Sequence, residues 1–402
     1  MTNRKEDEAG NTLGLRRRKM IRFLFAIIMM FAVFGGLNYY ISKRIHQGLI
    51  CVFPNVRFRM VFGILLILML VMLLGFARSM LPLPAGVKYV LGMVGSCWMG
   101  AFVYLLLFTA LTDLLRLLFW LCRLHFVKMT GFNLVMSVIT VALTLITVVY
   151  GIHHARSIQH VSYEIKVEDK ADISDMNIVM ISDLHLGALG SESRLEEIVE
   201  EINGLNPDLI CIAGDFFDTD FAAIREPEKA IERLRKLTST YGVYVCLGNH
   251  DAGDTVPQML DFLEKCNIRL LCDEYVVVDE RLVLVGRLDA SPIGGFGGME
   301  RKELSEFLVK EEESLPVLVM DHNPINVDTY GDEADLIMSG HTHRGQLFPG
   351  SLFTDRMFTV DYGYYRRDEN SPHVIVTSGV GYWGMPMRVG TDSEIISIRV
   401  IP

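Results

Sequence analysis

The sequence predicts an α/β (α+β) protein in two parts, a four-helix transmembrane region followed by two sheets packed face to face with helices outside. Three observations carry this. Four charge-free apolar stretches of 18 to 23 residues occupy the first 152 positions. Apolar runs of strand length then alternate with helical patterns between positions 178 and 266, as layered α/β domains do. From position 276 the strand-length runs often follow one another with no room for a helix, so antiparallel pairing and a second sheet are expected.

The apolar stretches are Phe23 to Ile41, Met60 to Ala77, Tyr89 to Leu111 and Gly131 to Ile152. Each has the ~20 residues that a helix needs to cross ~30 Å of hydrocarbon. Buried core helices are the alternative, and four recurrences of such runs argue against them. A cleaved signal peptide would fit only the first. Arg16, Arg17, Arg18 and Lys19 abut that first stretch, and short basic flanks tend to stay in the cytoplasm. Residues 1–19 are therefore expected as a basic cytoplasmic tail and 20–152 as the helical region. An even number of crossings makes this a multi-pass protein of the cell membrane and returns the rest of the chain to the cytoplasmic side. Leu114 to Phe126, interrupted by Arg116 and Arg123, reads as an interfacial helix.

Charge divides the chain at the same place. Residues 1–160 carry 17 Lys or Arg against four acids, a formal +13, whereas the remainder carries 21 against 44, a formal −23. A nuclease would need a basic footprint, so no nucleic-acid partner is expected. The seven cysteines include no CxxC pair, which suits a reducing compartment.

Residues 153–174 are polar and mixed and read as a linker, with a short strand at Val161 to Val167. The catalytic domain is expected over 175–402. Its early strands are Ile178 to Ile181, Leu209 to Ala213 and Val243 to Leu247, alternating with helices at Arg194 to Ile202, Pro227 to Leu237 and Val256 to Cys266. Later strands are expected at Val276 to Val278, Leu282 to Val285, Val317 to Met320, Leu336 to Met338, Val374 to Thr377 and Ile395 to Val400.

Five polar motifs each follow one of these strands: Asp183-Leu184-His185, Gly214-Asp215-Phe216-Phe217-Asp218, Gly248-Asn249-His250-Asp251, Asp321-His322-Asn323-Pro324 and Gly340-His341-Thr342-His343. Strand ends in α/β sheets converge on one edge, so the motifs can meet. Residues 171–402 hold six histidines and five fall in these motifs, leaving only His373 outside. A lone imidazole is usually an ordinary satisfied polar residue. Burying five beside Asp183, Asp215 and Asn249 without a compensating cation would be prohibitively costly. Imidazole, carboxylate and amide oxygen with no thiolate favour Mn, Fe or Zn. Eight candidate groups exceed one coordination shell, and a carboxylate such as Asp215 can bridge. Two ions ~3.5–4 Å apart would polarise a phosphoryl group and turn a bridging water into a hydroxide nucleophile.

The series DxH, GDxxD, GNH[DE], lone His and GHxH, in this order, resembles the calcineurin-like metallophosphoesterase family over about residues 175–402. The resemblance implies that Asp183, His185, Asp215 and His343 hold one metal and that Asp215, Asn249, His322 and His341 hold the other. His250 would then protonate the leaving oxygen, with Asp251 orienting its ring. Gly340 to Gln346, Ser378 to Gly381, Met387-Arg388 and Glu394 resemble the membrane-associated branch, similar to UDP-2,3-diacylglucosamine hydrolase-like phosphodiesterases. Arg344 stands where many relatives have Gly and is a candidate substrate-phosphate contact; an ordinary surface arginine is the plain alternative. Asp218 is expected to support its loop, Gly294 to Gly298 to form a loop near the site entrance, and Lys310 to Glu313 a solvated helix end.

The implied function is a membrane-anchored hydrolase of ester bonds that cleaves a phosphodiester, pyrophosphate or phosphomonoester by two-metal-activated hydroxide, phosphodiesterase first. Manganese is the first choice of metal, with iron or zinc as alternatives. The expected partners are a phosphoester substrate, with lipid-linked molecules among the candidates, and the bilayer itself. A catalytically silent scaffold of the same fold is the competing reading, and the filled ligand positions argue against it.

Overall fold

The computed structural model describes residues 2–78, 81–124, 130–167, 176–308 and 315–401. Helix α1 spans Thr2–Leu49, α2 Phe58–Phe76, α3 Ala85–Leu121 and α4 Thr130–His154. Among the described residues three helices are long and apolar enough to cross a membrane: Phe58–Phe76, Gly86–Leu121 and Gly131–His154. The first expected span, Phe23 to Ile41, lies within α1, where several side chains fall outside the described set. The interfacial helix expected at Leu114 to Phe126 is not separate, because α3 runs unbroken to Leu121; His125 and Phe126 lie outside the described residues, as does Lys310 to Glu313.

The chain divides into two compact units, one of residues 1–76 and 101–146, the other of residues 77–100 and 147–402. In the first, Asp113 is the only acid between positions 9 and 160. Arg44 meets its carboxylate at 2.8 Å, Arg116 at 3.4 Å, and the Tyr40 hydroxyl donates to it at 2.7 Å. One carboxylate thus supplies the counter-charge for two guanidinium groups among apolar helices.

The second unit contains two six-stranded sheets. Strands β1 (Ile158–Lys166), β2 (Met176–Ile181), β3 (Leu209–Ala213), β4 (Val243–Cys246), β5 (Arg269–Leu270) and β12 (Ser393–Ile401) form the first, in the order β1-β12-β2-β3-β4-β5. Strands β6 (Glu274–Val278), β7 (Leu282–Gly286), β8 (Val317–Met320), β9 (Leu336–Ser339), β10 (Gly363–Tyr365) and β11 (His373–Val376) form the second, in the order β10-β11-β9-β8-β7-β6. The segment read as a linker is therefore partly structural, since β1 pairs parallel with β12 from Ile158 to Lys166; residues 168–175 lie outside those described.

Period-two alternation decides which side chains go where. Ile178, Met180, Leu209 and Cys211 point into a core shared with Leu284, Leu318, Met338 and Ile375 of the other sheet. Their neighbours Val179, Ile181, Ile210 and Ile212 pack outward against Ile198 and Ile202 of α5 (Leu195–Gly204), Ile231 of α6 (Pro227–Leu234) and Met259 and Phe262 of α7 (Val256–Lys265). On the far face of the second sheet, Val283, Val285, Val317, Val319 and Ile337 pack with Leu304, Val327 and Tyr330. Strands buried on both faces read as unbroken apolar runs, which is why sequence located them well.

Candidate metal centre

The site is built where β2, β3, β4, β8 and β9 end. Five of the seven candidate ligands have left-handed backbones: Asp183 (φ 55), His185 (φ 47), Asp215 (φ 49), His341 (φ 72) and His343 (φ 47). Such conformations cost non-glycine residues ~1 kcal/mol or more each. Each turns a side chain back over its own strand end, and their clustering here marks a functional site. The glycines of the motifs are required by close approach. A Cβ on Gly248 would strike Asp215 and come within 2.8 Å of His322 Cδ2; one on Gly214 would reach 2.7 Å from the His322 ring.

Three sets of possible ligand atoms converge among the described residues, each within 4.8 Å: Asp183, His185 and His343; Asp215, His322 and His341; and His185, Asp218 and His250, the last of which includes two residues not expected as ligands. His185 Nε2 and His343 Nε2 face each other at 3.1 Å, with Asp183 Oδ1 at 3.3 Å from the latter and Asp215 Oδ2 at 3.7 Å from the former. His322 Nε2 lies 3.1 Å from Asp215 Oδ2, and His341 Nδ1 lies 2.7 Å from the Asn249 amide oxygen. Donors ~2.1 Å from one cation and at right angles lie ~3.0 Å apart, so these separations are those of coordination shells.

The clearest test of fit is His322, which is fully buried. Its Nδ1 lies 2.8 Å from the Ala213 carbonyl, which only accepts, so Nδ1 carries a proton. Nε2 then points at the Asp215 carboxylate without hydrogen-bond geometry and has no partner among the described residues. Something positive, a proton or a metal cation, belongs between them. Burial pushes the Asp215 carboxyl up, but the His322 and His185 imidazoles more than offset this and hold it well below the usual carboxylate range. Burial lowers His341 to about 4, helped by His322, and drives His343 well below its usual value, helped by His185 and Arg388. His341 and His343 are thus held neutral, the form that binds metal. At His185 and His322 burial is outweighed by the neighbouring carboxylates, Asp218 and Asp215 foremost, which raise the imidazoles and mark where positive charge is favoured. The residues therefore fit divalent cations, with Asp215 placed near the first two sets.

The surrounding groups differ in part from expectation. Asp251 does not orient the His250 ring, because its buried carboxylate accepts the backbone N–H groups of Phe217 at 2.7 Å, Gly248 at 2.8 Å and Phe216 at 3.2 Å. It ties the Asp215 loop to the Asn249 loop. Thr219 takes the expected place, with its hydroxyl 2.7 Å from His250 Nδ1. Asp218 stands 3.6 Å from His185 Nδ1, on the side of that ring away from His343. The backbone N–H of His250 donates to Asp215 at 2.8 Å, and its ring centroid lies 5.1 Å from that of His185. Arg344 (φ 49) stacks its guanidinium 4.2 Å from the Tyr362 ring centroid, and no carboxylate pairs with it among the described residues. The Gly294–Gly298 loop adjoins the site through Gly253 N–H to Gly295 C=O at 2.8 Å and Ile293 N–H to Asn249 C=O at 2.9 Å.

Arg388 has a structural role that spacing alone did not disclose. It is completely buried and donates to the carbonyls of Ser378 at 2.6 Å, Gly379 at 3.1 Å and Gly381 at 2.7 Å, while lying 3.4 Å from His343 Nδ1. The same loop backs Asp183, since a Cβ on Gly379 would meet Asp183 Cβ at 2.7 Å. Glu394 braces it from the other side, accepting from Thr377 Oγ1, Ser378 N–H and Tyr362 Oη at 2.7 to 3.0 Å.

A two-sheet sandwich with paired acid-histidine clusters at its strand ends defines a metal-binding domain. Residues 176–345 match the family described as calcineurin-like phosphoesterase. Among its relatives is an uncharacterized metallophosphoesterase of Helicobacter pylori, 30% identical over 58% of this chain and 62% of that protein. A transmembrane protein with metallophosphoesterase domain from Danio rerio is 31% identical over 65% of this chain and 62% of its own length. The UDP-2,3-diacylglucosamine pyrophosphatase LpxG of Chlamydia trachomatis is 22% identical over 58% of this chain and 85% of its own. The chain thus spans less than two thirds of the first two of these relatives. Apolar helices and relatives named transmembrane proteins together indicate membrane association.

Proposed function

We propose that this protein is a membrane-anchored, metal-dependent hydrolase of phosphoester or pyrophosphate bonds, its helices crossing the membrane more than once and its catalytic domain on the cytoplasmic side. The observation that carries the reading is the pair of lone-pair convergences, His322 with Asp215 and His185 with His343 and Asp183. Two divalent ions, manganese first, would be held by Asp183, His185, Asp215 and His343 and by Asp215, Asn249, His322 and His341; when bound they supply Lewis acidity toward phosphoryl oxygens and lower the pKa of a water to near neutral.

The chain's own residues do the rest. Thr219 fixes the His250 ring at Nδ1, leaving Nε2 to pass a proton to the leaving oxygen. Asp251 holds the His250 loop against the Asp215 loop, so donor and ligands keep their spacing. Arg344, with no carboxylate to neutralise it among the described residues, would contact a substrate phosphate. A relative named as a UDP-2,3-diacylglucosamine pyrophosphatase supports a lipid-linked substrate among the candidates.

Full-length protein purified in detergent with Mn should cleave bis-p-nitrophenyl phosphate. His250→Ala should lower turnover by ~10²–10⁴-fold, the range for a positioned acid, while metal content stays unchanged. Full activity in that variant would remove His250 from the mechanism, and a folded wild-type protein that retains no metal would remove the whole reading.

A further inference from the structure

Helix α8, Ser351–Met357, directly follows the His343-Arg344 turn and is inverted relative to an ordinary surface helix. Ser351 and Thr354 face the protein, while Asp355 and Arg356 are exposed; Thr354 Oγ1 donates to Asp361 at 2.7 Å, and Asp361 C=O in turn accepts from Thr342, between the two ligand histidines. Its apolar side faces out: Leu352 is 48%, Phe353 65% and Met357 70% exposed. Phe353 and Met357 are four residues apart and share a stripe. Three large apolar side chains left in water are unfavourable relative to burial, so the face calls for a cover.

The position of α8 identifies the cover. The Phe348 N–H donates to the Val389 carbonyl at 2.8 Å, and the Arg388 N–H donates to the Gly151 carbonyl in the last turn of α4 at 3.0 Å. A Cβ on Gly151 would come within 2.8 Å of Met387 Cε and 2.9 Å of Val389 Cγ2, and one on Gly100 of α3 would strike Met387 Sδ. The Trp383–Val389 segment is thus wedged between the α8 segment, the last turn of α4 and the middle of α3, both of them helices apolar enough to cross a membrane. Trp383, 43% exposed and with its ring 6.1 Å from that of His250, adds an amphipathic side chain on the same segment. Arg356, exposed beside the apolar stripe, suits the phosphate level of a bilayer.

We propose that the outward face of α8, Leu352, Phe353 and Met357, docks onto the lipid bilayer that the helices enter, holding the mouth of the metal centre at the headgroup level. The proposal rests on the membrane part of the reading above and is independent of whether the site is catalytic. It brings phosphates presented at a lipid surface within reach of the site.

The test uses full-length protein in phosphatidylcholine–phosphatidylglycerol vesicles containing a phosphatidylcholine with a diazirine on its acyl chain. After photolysis, lipid adducts are mapped by mass spectrometry. Adducts are expected on residues 347–358 and, as the internal reference, on α2. Phe353→Asp combined with Met357→Asp should lower labelling of 347–358 by about ten-fold, since membrane binding scales with the apolar area buried, with α2 labelling unchanged. Labelled α2 with unlabelled 347–358 overturns the docking while leaving the membrane reading intact; both unlabelled overturns both. A detergent-soluble dimer that Phe353→Asp dissociates, with no adducts on 347–358, assigns the face to a second copy of the chain and also overturns the proposal.

Discussion

Replacing Arg388 by Met tests the idea that one buried guanidinium holds the wall of the metal centre. Its partners are carbonyls of Ser378, Gly379 and Gly381, and no carboxylate pairs with it among the described residues. Burial pushes the guanidinium down to about 10 despite Asp183 and Glu394 nearby, so it remains charged at neutral pH. Arg388→Met keeps most of the volume and leaves three buried carbonyls without their donor, at ~1–3 kcal/mol each. Removing a buried charge returns several kcal/mol of desolvation, so the net loss is ~3 kcal/mol. At ~2–4 °C per kcal/mol for a domain of this size, Tm should fall by ~6–12 °C. The loop that relaxes also backs Asp183 and touches His343, so metal affinity should drop by ~10–100-fold, as for other partners that orient ligands. Arg388→Lys should recover part of the Tm and little of the affinity, because one ammonium cannot span three carbonyls. Thermal unfolding and metal titration of the full chain read both effects. A Tm change under ~2 °C with unchanged metal affinity would refute the reasoning, since water would then be satisfying those carbonyls.

Three other outcomes follow from the same geometry. Gly248→Ala should leave the sheets intact but cut metal affinity by at least ~10-fold, because the added methyl collides with Asp215 and His322; retained affinity would show that the loop has slack. Thr219→Val removes the group on His250 Nδ1, and turnover should fall by ~10-fold or more with metal content unchanged, the effect of a misplaced proton donor; an unchanged rate would free His250 from Thr219. Chelation should lower Tm by ~5–10 °C, equivalent to ~2.7 kcal/mol at a metal concentration 100 times Kd; an unchanged Tm in protein verified to have held metal would show that the centre contributes nothing to folding.

Much of this protein was legible before any coordinates. Strands such as Leu209–Ala213 and Val317–Met320 stand where their apolar runs stand, because a strand buried on both faces must be apolar throughout. Identities and spacing of Asp183, His185, Asp215, Asn249, His322, His341 and His343 announced a metal centre, because so many ligating groups in a core need a cation. Short or exposed elements escaped: β5 has two residues, β10 three, and α8 displays its apolar side outward. Hydrogen-bond partners escaped as well. Asp251 follows His250 in the chain yet serves three backbone amides, while Thr219, 31 residues away, reaches the His250 ring. Arg388 lies 45 residues from His343 yet comes to rest beside it. Residue type and period fix which groups a core can hold, since they act locally. Which donor meets which acceptor depends on how two sheets bring distant loops to one edge, and only the tertiary structure decides that.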